Sequence, residues 1–237
     1  MTRTVLPALT YLRLEGPHGY LEDLVGRVDA PLLNDGSFKF YDQPIFDTPR
    51  VPQFIRRTKI FDFPSGVKVK FRSAWVFDEA GICASFRSSI SPAKFHLLFP
   101  CSEFPAQVTI MERICAQWPP LVSHVEFLEL FDDVFEDSNW QWWEGITPWL
   151  GFLRQFTAVQ TLRLHVMEKV PHVTHVLGAV EGARVTKVLP TLRTIELACP
   201  VCPEQGARSE TLRVLRPFLV AREELERPVV VNPSYKS

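Results

Sequence analysis

Apolar and polar side chains alternate strictly in two short segments of the C-terminal half, TLRLH at residues 161–165 and TIELA at residues 194–198. Successive side chains of a β-strand point to opposite faces of the sheet, so this alternation predicts strands with one buried face and one face in water. Strands that are covered on both faces, as in a doubly wound parallel sheet, have continuous apolar runs instead. The pattern therefore favours an α/β fold whose sheet is covered on one side only.

Both segments belong to a longer template, apolar-x-x-apolar-x-apolar. Its best copies place their apolar residues at Val125, Leu128 and Leu130, at Val159, Leu162 and Leu164, and at Leu192, Ile195 and Leu197. Looser copies are Leu9, Leu12 and Leu14, and Leu33, Phe38 and Phe40, with Gly36 where an apolar residue is expected. The best copies repeat after 34 and then 33 residues. This template and spacing are typical of leucine-rich repeats.

We therefore predict a leucine-rich-repeat-like solenoid, a horseshoe fragment with irregular long repeats. It would form a single domain over residues 1–232, and residues 233–237 would be a disordered tail. The 20 prolines of the chain favour short elements with frequent connections, because proline interrupts long helices and central strands.

Helices are predicted between the strands. MERICAQWPP (residues 111–120) ends at paired prolines, and TPWLGFLRQF (residues 147–156) has Thr147 as its expected N-cap. A third helix is expected from Ser209, kinked or split at Pro217. RPVVVN (residues 227–232) is typical of a final buried strand. In the middle of the chain, VKVKF (residues 67–71) and ICASF (residues 82–86) predict a hairpin or an irregular repeat.

Composition narrows the class of protein. The net charge of −1 indicates neither nucleic acid nor an anionic membrane as a partner. No apolar run approaches the roughly 18 residues of a membrane-spanning helix, and the first residues do not resemble a signal peptide. Five scattered cysteines fit a reduced protein of the cytoplasm or nucleus. No cofactor or metal is predicted, and no glycine-rich phosphate-binding motif occurs.

Three motifs suggest metal or redox chemistry, and each has a plainer interpretation. CPVC, from Cys199 to Cys202, is a single CxxC pair, whereas structural zinc needs about four ligands. His172 and His175 have helical spacing near His165 but lack the glutamate of a zinc protease motif. DDVFED, at residues 132–137, resembles the aspartate-rich motif of terpenoid synthases, which requires facing helices. Loop, core or surface roles are favoured for all three.

Two further clusters remain. Trp140, Trp142 and Trp143 either pack as a core insertion, which we favour, or form an exposed patch for a partner. Four serines, at positions 85, 88, 89 and 91, occur without a histidine and an aspartate that the sequence would place beside them. The sequence therefore predicts a non-enzymatic protein.

The segments LPALTYLRLEG, HVEFLELF, VQTLRLHV, VLPTLRTIELA and the ending LRPFLVARE…PVVV together resemble the leucine-rich-repeat region of F-box-like proteins of mushroom-forming fungi. The resemblance runs from about Leu6 to Asn232. It implies the substrate-recognition part of a ubiquitin-ligase receptor, in which an F-box binds the ligase adaptor and the repeats bind the target. No F-box is recognised here, so adaptor binding is expected only if one lies upstream.

The absence of the F-box leaves a degenerate or truncated copy without ligase coupling as one alternative, and a metal-dependent enzyme using residues 132–137 as another.

The repeat beginning at LPALTYLRL has no polar capping unit before it. Because an open end of a solenoid exposes apolar surface, we expect the N-terminal end to be marginally stable or prone to self-association.

The predicted function is to bind a protein or peptide through the exposed positions of the strands. The candidate contact residues are Tyr11, Arg13, Lys39, Tyr41, Phe127, Glu129, Phe131, Thr161, Arg163, His165, Thr194 and Glu196.

Overall fold

The computed structural model describes residues 3–41, 49–58, 64–72, 80–88, 93–133, 146–166, 169–199 and 205–235. Its strands, in chain order, are β1 (Thr4–Val5), β2 (Tyr11–Gly16), β3 (Val28–Asp29), β4 (Asp35–Phe40), β5 (Gly66–Arg72), β6 (Gly81–Arg87), β7 (Lys94–Pro100), β8 (Phe127–Asp133), β9 (Thr161–His165), β10 (Thr194–Cys199) and β11 (Val230–Tyr235). β1 and β3 form a small parallel pair, and the other nine form one mixed sheet that does not close on itself.

The order of strands across the large sheet is β11-β10-β9-β8-β5-β6-β7-β4-β2. All neighbours are parallel except at β6, which runs antiparallel to both β5 and β7. The predicted hairpin of residues 67–71 and 82–86 is therefore present as β5 and β6. β7 follows β6 as the third strand of this meander, which lies between β8 and β4. Across the sheet from β11 to β2 the strand numbers fall, except in the meander, where they rise from β5 to β7.

The register of the C-terminal strands follows the repeat template. Leu128 is the partner of Leu162, and Leu162 is the partner of Ile195. Residues at equivalent positions of the three best copies are thus neighbours in one parallel sheet. The assignment of these strands to a leucine-rich-repeat solenoid stays a prediction.

The helices are α1 (His18–Arg27), α2 (Arg50–Arg57), α3 (Phe104–Gln117), α4 (Pro119–Val122), α5 (Ile146–Arg154), α6 (His172–Gly178) and α7 (Gln205–Glu224), with a 3-10 helix at Gly182–Lys187. They pack against one another along one face of the sheet, α1 on α2 and α3 on α5, and α6 on α5 and α7. Most strand side chains on that face are buried, among them Phe71, which contacts Phe104 and Trp149.

Two helix predictions need correction. α5 begins at Ile146, so Thr147 lies inside the first turn and is not the N-cap. α7 begins at Gln205, four residues before the expected Ser209, and is one helix that is not split at Pro217. Buried Leu215 and Phe218 anchor the helix on both sides of the exposed proline, which explains how the helix persists there.

The position of Gly36 in β4 is explained by Phe95 of the neighbouring strand β7. A Cβ atom at residue 36 would lie 2.7 Å from Cδ2 of Phe95. The phenyl ring occupies the space that an apolar side chain would take, and it packs edge-on against Phe38 at 5.0 Å. The irregular residue in this copy of the template is therefore a packing requirement.

The two edges of the sheet are less well covered than its centre. The strand predicted for residues 227–232 was expected to be buried, but Val230 is 58% exposed because β11 is an edge strand. β11 also extends to Tyr235, beyond the predicted boundary at residue 232. Among the described residues, the exposed large apolar side chains all precede residue 42 or follow residue 211; they are Val5, Leu6, Tyr11, Tyr20, Leu32, Tyr41, Leu212, Val220, Leu225 and Val230.

Candidate binding face of the sheet

The face of the large sheet opposite the helices carries a continuous row of polar side chains, one from each strand. From β2 to β11 they are Arg13, Ser37, His96, Ser85, Lys68, Glu129, Arg163, Glu196 and Asn232. We call this set the polar row, and the face that carries it the open face. The row arises because side chains alternate between the two faces along each strand and the paired strands keep these nine positions in register.

The polar row is most highly connected where β5, β8 and β9 meet. Oε1 of Glu129 lies 2.7 Å from Nζ of Lys68 and 2.6 Å from Nε2 of His165. Burial alone would raise the pKa of Glu129, but the hydrogen bonds from His165 and Lys68 lower it to about 2. Nδ1 of His165 is buried and has no hydrogen-bond partner within the described ranges. Glu129 is therefore a charged carboxylate that is largely buried beneath the open face.

Phe131 lies two residues after Glu129 on the same face of β8, and its ring covers this cluster. Its ring centroid is 4.2 Å from that of His165, and the ammonium groups of Lys68 and Lys70 lie 5.6 and 5.7 Å from it. Burial lowers the pKa of Lys70, and the neighbouring cations Lys68 and Arg72 lower it further. The centre of the open face thus combines an aromatic ring with concentrated positive charge.

Ion pairs flank the centre on both sides. Toward β10, Nη2 of Arg163 is 2.6 Å from Oε2 of Glu196, and the Arg163 guanidinium lies 4.9 Å from the ring of Phe127. Toward β2, Glu15 accepts hydrogen bonds from Arg13 and from the hydroxyl of Tyr41, which lower its pKa.

The structure distributes the twelve predicted contact residues over three levels of exposure. Tyr11, Arg13 and Tyr41 are exposed, and Lys39, Phe127, Phe131, Thr161, Arg163, Thr194 and Glu196 are partly exposed. The expectation of solvent exposure is wrong for Glu129 and His165, which are 8% and 4% exposed. Their mutual hydrogen bond and the ring of Phe131 explain this burial.

Five members of the polar row were missed by sequence reasoning: Ser37, Lys68, Ser85, His96 and Asn232. Three of them lie in the β5–β7 meander, whose membership of the same face depends on strand order. The alternation of apolar and polar residues in GVKVKFR and KFHLLFP was the signal that could have identified Lys68 and His96.

Ser85 and His96 form a pair that the sequence did not indicate. Oγ of Ser85 lies 2.8 Å from Nδ1 of His96, and burial lowers the pKa of this histidine. A catalytic triad also needs a carboxylate that orients the imidazole. The neighbouring carboxylate of Asp35 instead pairs with Lys94 at 3.1 Å. Of the other serines, Ser89 and Ser91 lie outside the described residues.

Asp132 and His172, from the motifs considered for metal chemistry, meet on the helix side of the sheet. Oδ2 of Asp132 accepts a hydrogen bond from the backbone N–H of His172 at 2.7 Å and lies 2.8 Å from its Nδ1. This arrangement satisfies the N-terminus of α6, which has no cap of its own. Asp132 is therefore engaged in a structural contact.

Within the part of the chain that the structure describes, no three histidine, cysteine or acidic side chains converge as metal ligands. Residues 134–137, Cys202 and the three tryptophans at 140, 142 and 143 lie outside that part, as does the side chain of Cys199. No helix among the described residues has both the length and the apolar character needed to span a bilayer.

Comparison with known proteins found no matching family model, no matching curated protein and no matching solved structure.

Proposed function

We propose that this chain is a non-enzymatic binding module that holds a protein or peptide partner on the open face of its sheet. The observation that carries the proposal is the polar row, which crosses all nine described strands of the large sheet on the face opposite the described helices. Broad sheets of this kind bind through many shallow contacts, and charged groups there select the partner.

The charge of the open face specifies the kind of partner. Eight of the described side chains on this face are basic, and four are acidic. The basic residues are Arg13, Lys39, Lys68, Lys70, Arg72, Arg87, Lys94 and Arg163. The acidic residues are Glu15, Asp35, Glu129 and Glu196. Each of the four carboxylates already forms an ion pair with a cation of the same face. In a chain of net charge −1, this local excess of positive charge favours a partner with acidic side chains.

The resemblance to F-box-like proteins gives this proposal a biological setting. In that setting the open face would recognise the target of a ubiquitin ligase, and the ligase adaptor would be a second partner only where an F-box is joined to the chain. A degenerate copy without ligase coupling would still have the open face but would serve no ligase.

The test is affinity capture from cell extract followed by mass spectrometry, with variants of single charges. Arg163→Glu should lose an acidic partner, and Glu196→Arg should retain it or bind it more tightly, because binding depends on positive charge. Arg216→Glu is the matched control, since it reverses an exposed charge on α7, away from the open face. Equal capture by Arg163→Glu and the unmodified protein would exclude the open face as the binding surface.

A further inference from the structure

An open pocket of about 580 Å³ lies where β9, β10 and β11 begin, and its lining includes Thr194 of the open face but no member of the polar row. Its lining includes Gln160 before β9, Thr191 and Arg193 before β10, Arg227 and Val230 at the start of β11, and Arg222 from α7. Pockets of this size hold small-molecule ligands.

Arg222 is the unusual member of this lining because it is only 1% exposed. It donates hydrogen bonds to three main-chain carbonyls, those of Leu192 at 2.8 Å, Arg227 at 3.2 Å and Leu189 at 3.5 Å. These contacts use each of its three nitrogen atoms as a donor and hold the guanidinium in the wall of the pocket. The acceptors fix the position of Arg222 but bring no negative charge to it.

The charge of Arg222 is not compensated by the other described residues of the lining. Burial lowers its pKa, and Arg227 lowers it further, while no Asp or Glu is among the described residues that line the pocket. Burial of a charge is costly unless an opposite charge accompanies it. Arg193 and Arg227 are exposed beside it, so three guanidinium side chains line one pocket.

We propose that this pocket binds the phosphate group of a small phosphorylated molecule. Guanidinium groups match the geometry of phosphate oxygens and form charge-assisted hydrogen bonds with them. The hydroxyl of Thr191 lies 2.9 Å from the carbonyl oxygen of Thr157 and 3.0 Å from that of Val159, and its single hydrogen is shared between them. The hydroxyl therefore orders the connection rather than contacting the ligand. Arg222 supplies the fixed charge, and Arg193 and Arg227 at the rim complete the site.

Isothermal titration calorimetry with inorganic phosphate, at constant ionic strength in chloride buffer, tests the site. The unmodified protein should show saturable binding, and O-phosphoserine should bind whereas serine should not. Arg193→Gln and Arg227→Gln should each weaken phosphate binding about tenfold, the effect of one lost charge-assisted contact. Arg216→Gln, which removes an exposed charge from the same helix as Arg222, should bind phosphate as the unmodified protein does.

Both rim arginines are exposed, so their variants are expected to fold, and an unchanged thermal unfolding temperature without phosphate verifies this. Equal phosphate affinity in the Arg193→Gln/Arg227→Gln double variant would overturn the proposal. Failure of the unmodified protein to bind phosphate, or equal binding of serine and phosphoserine, would do so too. Partner capture is tested separately, because Arg163 and Glu196, whose variants probe the open face, are not among the described residues that line the pocket.

Discussion

Glu129 and His165 are joined by a hydrogen bond of 2.6 Å between Oε1 and Nε2, although 36 residues separate them in the sequence. The same oxygen accepts a hydrogen bond from Nζ of Lys68 at 2.7 Å. A single carboxylate oxygen thus connects β5, β8 and β9 on the face opposite the helices. Because the cluster is largely buried, loss of the carboxylate leaves two donors with no equivalent acceptor.

Replacement of this carboxylate should destabilise the protein. We expect Glu129→Gln to lower the free energy of unfolding by about 1–3 kcal/mol, since the amide cannot compensate the Lys68 charge and accepts more weakly. Urea denaturation measures the change. The control is Glu196→Gln, whose ion pair with Arg163 is more exposed and should contribute less than about 1 kcal/mol. Equal losses in both variants would contradict a special role for the Glu129 cluster.

The same group predicts a dependence of stability on pH. The pKa of Glu129 is about 2 in the folded protein, below its ordinary value of 4.5. The unfolded chain therefore binds the proton first as pH falls, so the stabilisation is complete above pH 4.5 and is lost as pH falls toward 2.

The comparison of Glu129→Gln with the unmodified protein isolates this contribution. The difference in unfolding free energy between them should shrink as the pH is lowered through that range. A difference that stays constant from neutral pH to the acid limit would show that Glu129 does not titrate in this way. Glu22, whose pKa is raised mainly by burial, is present in both proteins and cancels.

Glu22 of α1 serves as a cap for α2, a helix that begins after Pro49 and has no side-chain cap of its own. Its carboxylate accepts hydrogen bonds from the backbone N–H groups of Arg50 at 2.9 Å and Val51 at 3.0 Å. Glu22→Ala should cost about 1–2 kcal/mol of stability, the usual effect of a lost cap.

Amide hydrogen exchange should locate that loss in α2, with faster exchange of its amide groups. Asp23→Ala is the matched control, because Asp23 is exposed and forms only a surface ion pair with Arg50. If Asp23→Ala accelerates exchange in α2 as much as Glu22→Ala does, the capping role is refuted.

Gly36 should not tolerate a larger residue. In Gly36→Ala the new methyl group would collide with the buried ring of Phe95, and we expect a loss of about 1–3 kcal/mol by urea denaturation. A second change, Phe95→Leu, should make the alanine less harmful than it is in the unmodified background. Gly19→Ala is the control, since nothing lies within 4 Å of its added methyl group and a helix favours alanine. Absence of coupling between residues 36 and 95 would refute the packing argument.

Sequence patterns predicted the strands best where the repeat is regular. The pairing of Leu128, Leu162 and Ile195 could be predicted because each copy of the template specifies both the buried face and the register. The reversed β5–β7 meander could not, because GVKVKFR alternates in the same way whichever strands lie beside it.

The prediction of an exposed side chain failed at Glu129 for the same reason. Arg163 and Glu196 were expected on one face and do form an ion pair there. The burial of Glu129 depends on Lys68, which reaches it only because β5 lies beside β8. Alternation within a strand gives the direction of a side chain, whereas its neighbours depend on the order of the strands.

Among the strands that the structure describes in the large sheet, β6 alone runs against its neighbours, and it alone joins two parallel groups of strands. On one side lie β2, β4 and β7, and on the other lie β5 and β8 to β11. Without β6 the protein would consist of two separate sheets with four unpaired edges in place of two. The single reversed strand therefore makes the two groups one cooperative unit, and damage to this short segment would cost more than its length suggests.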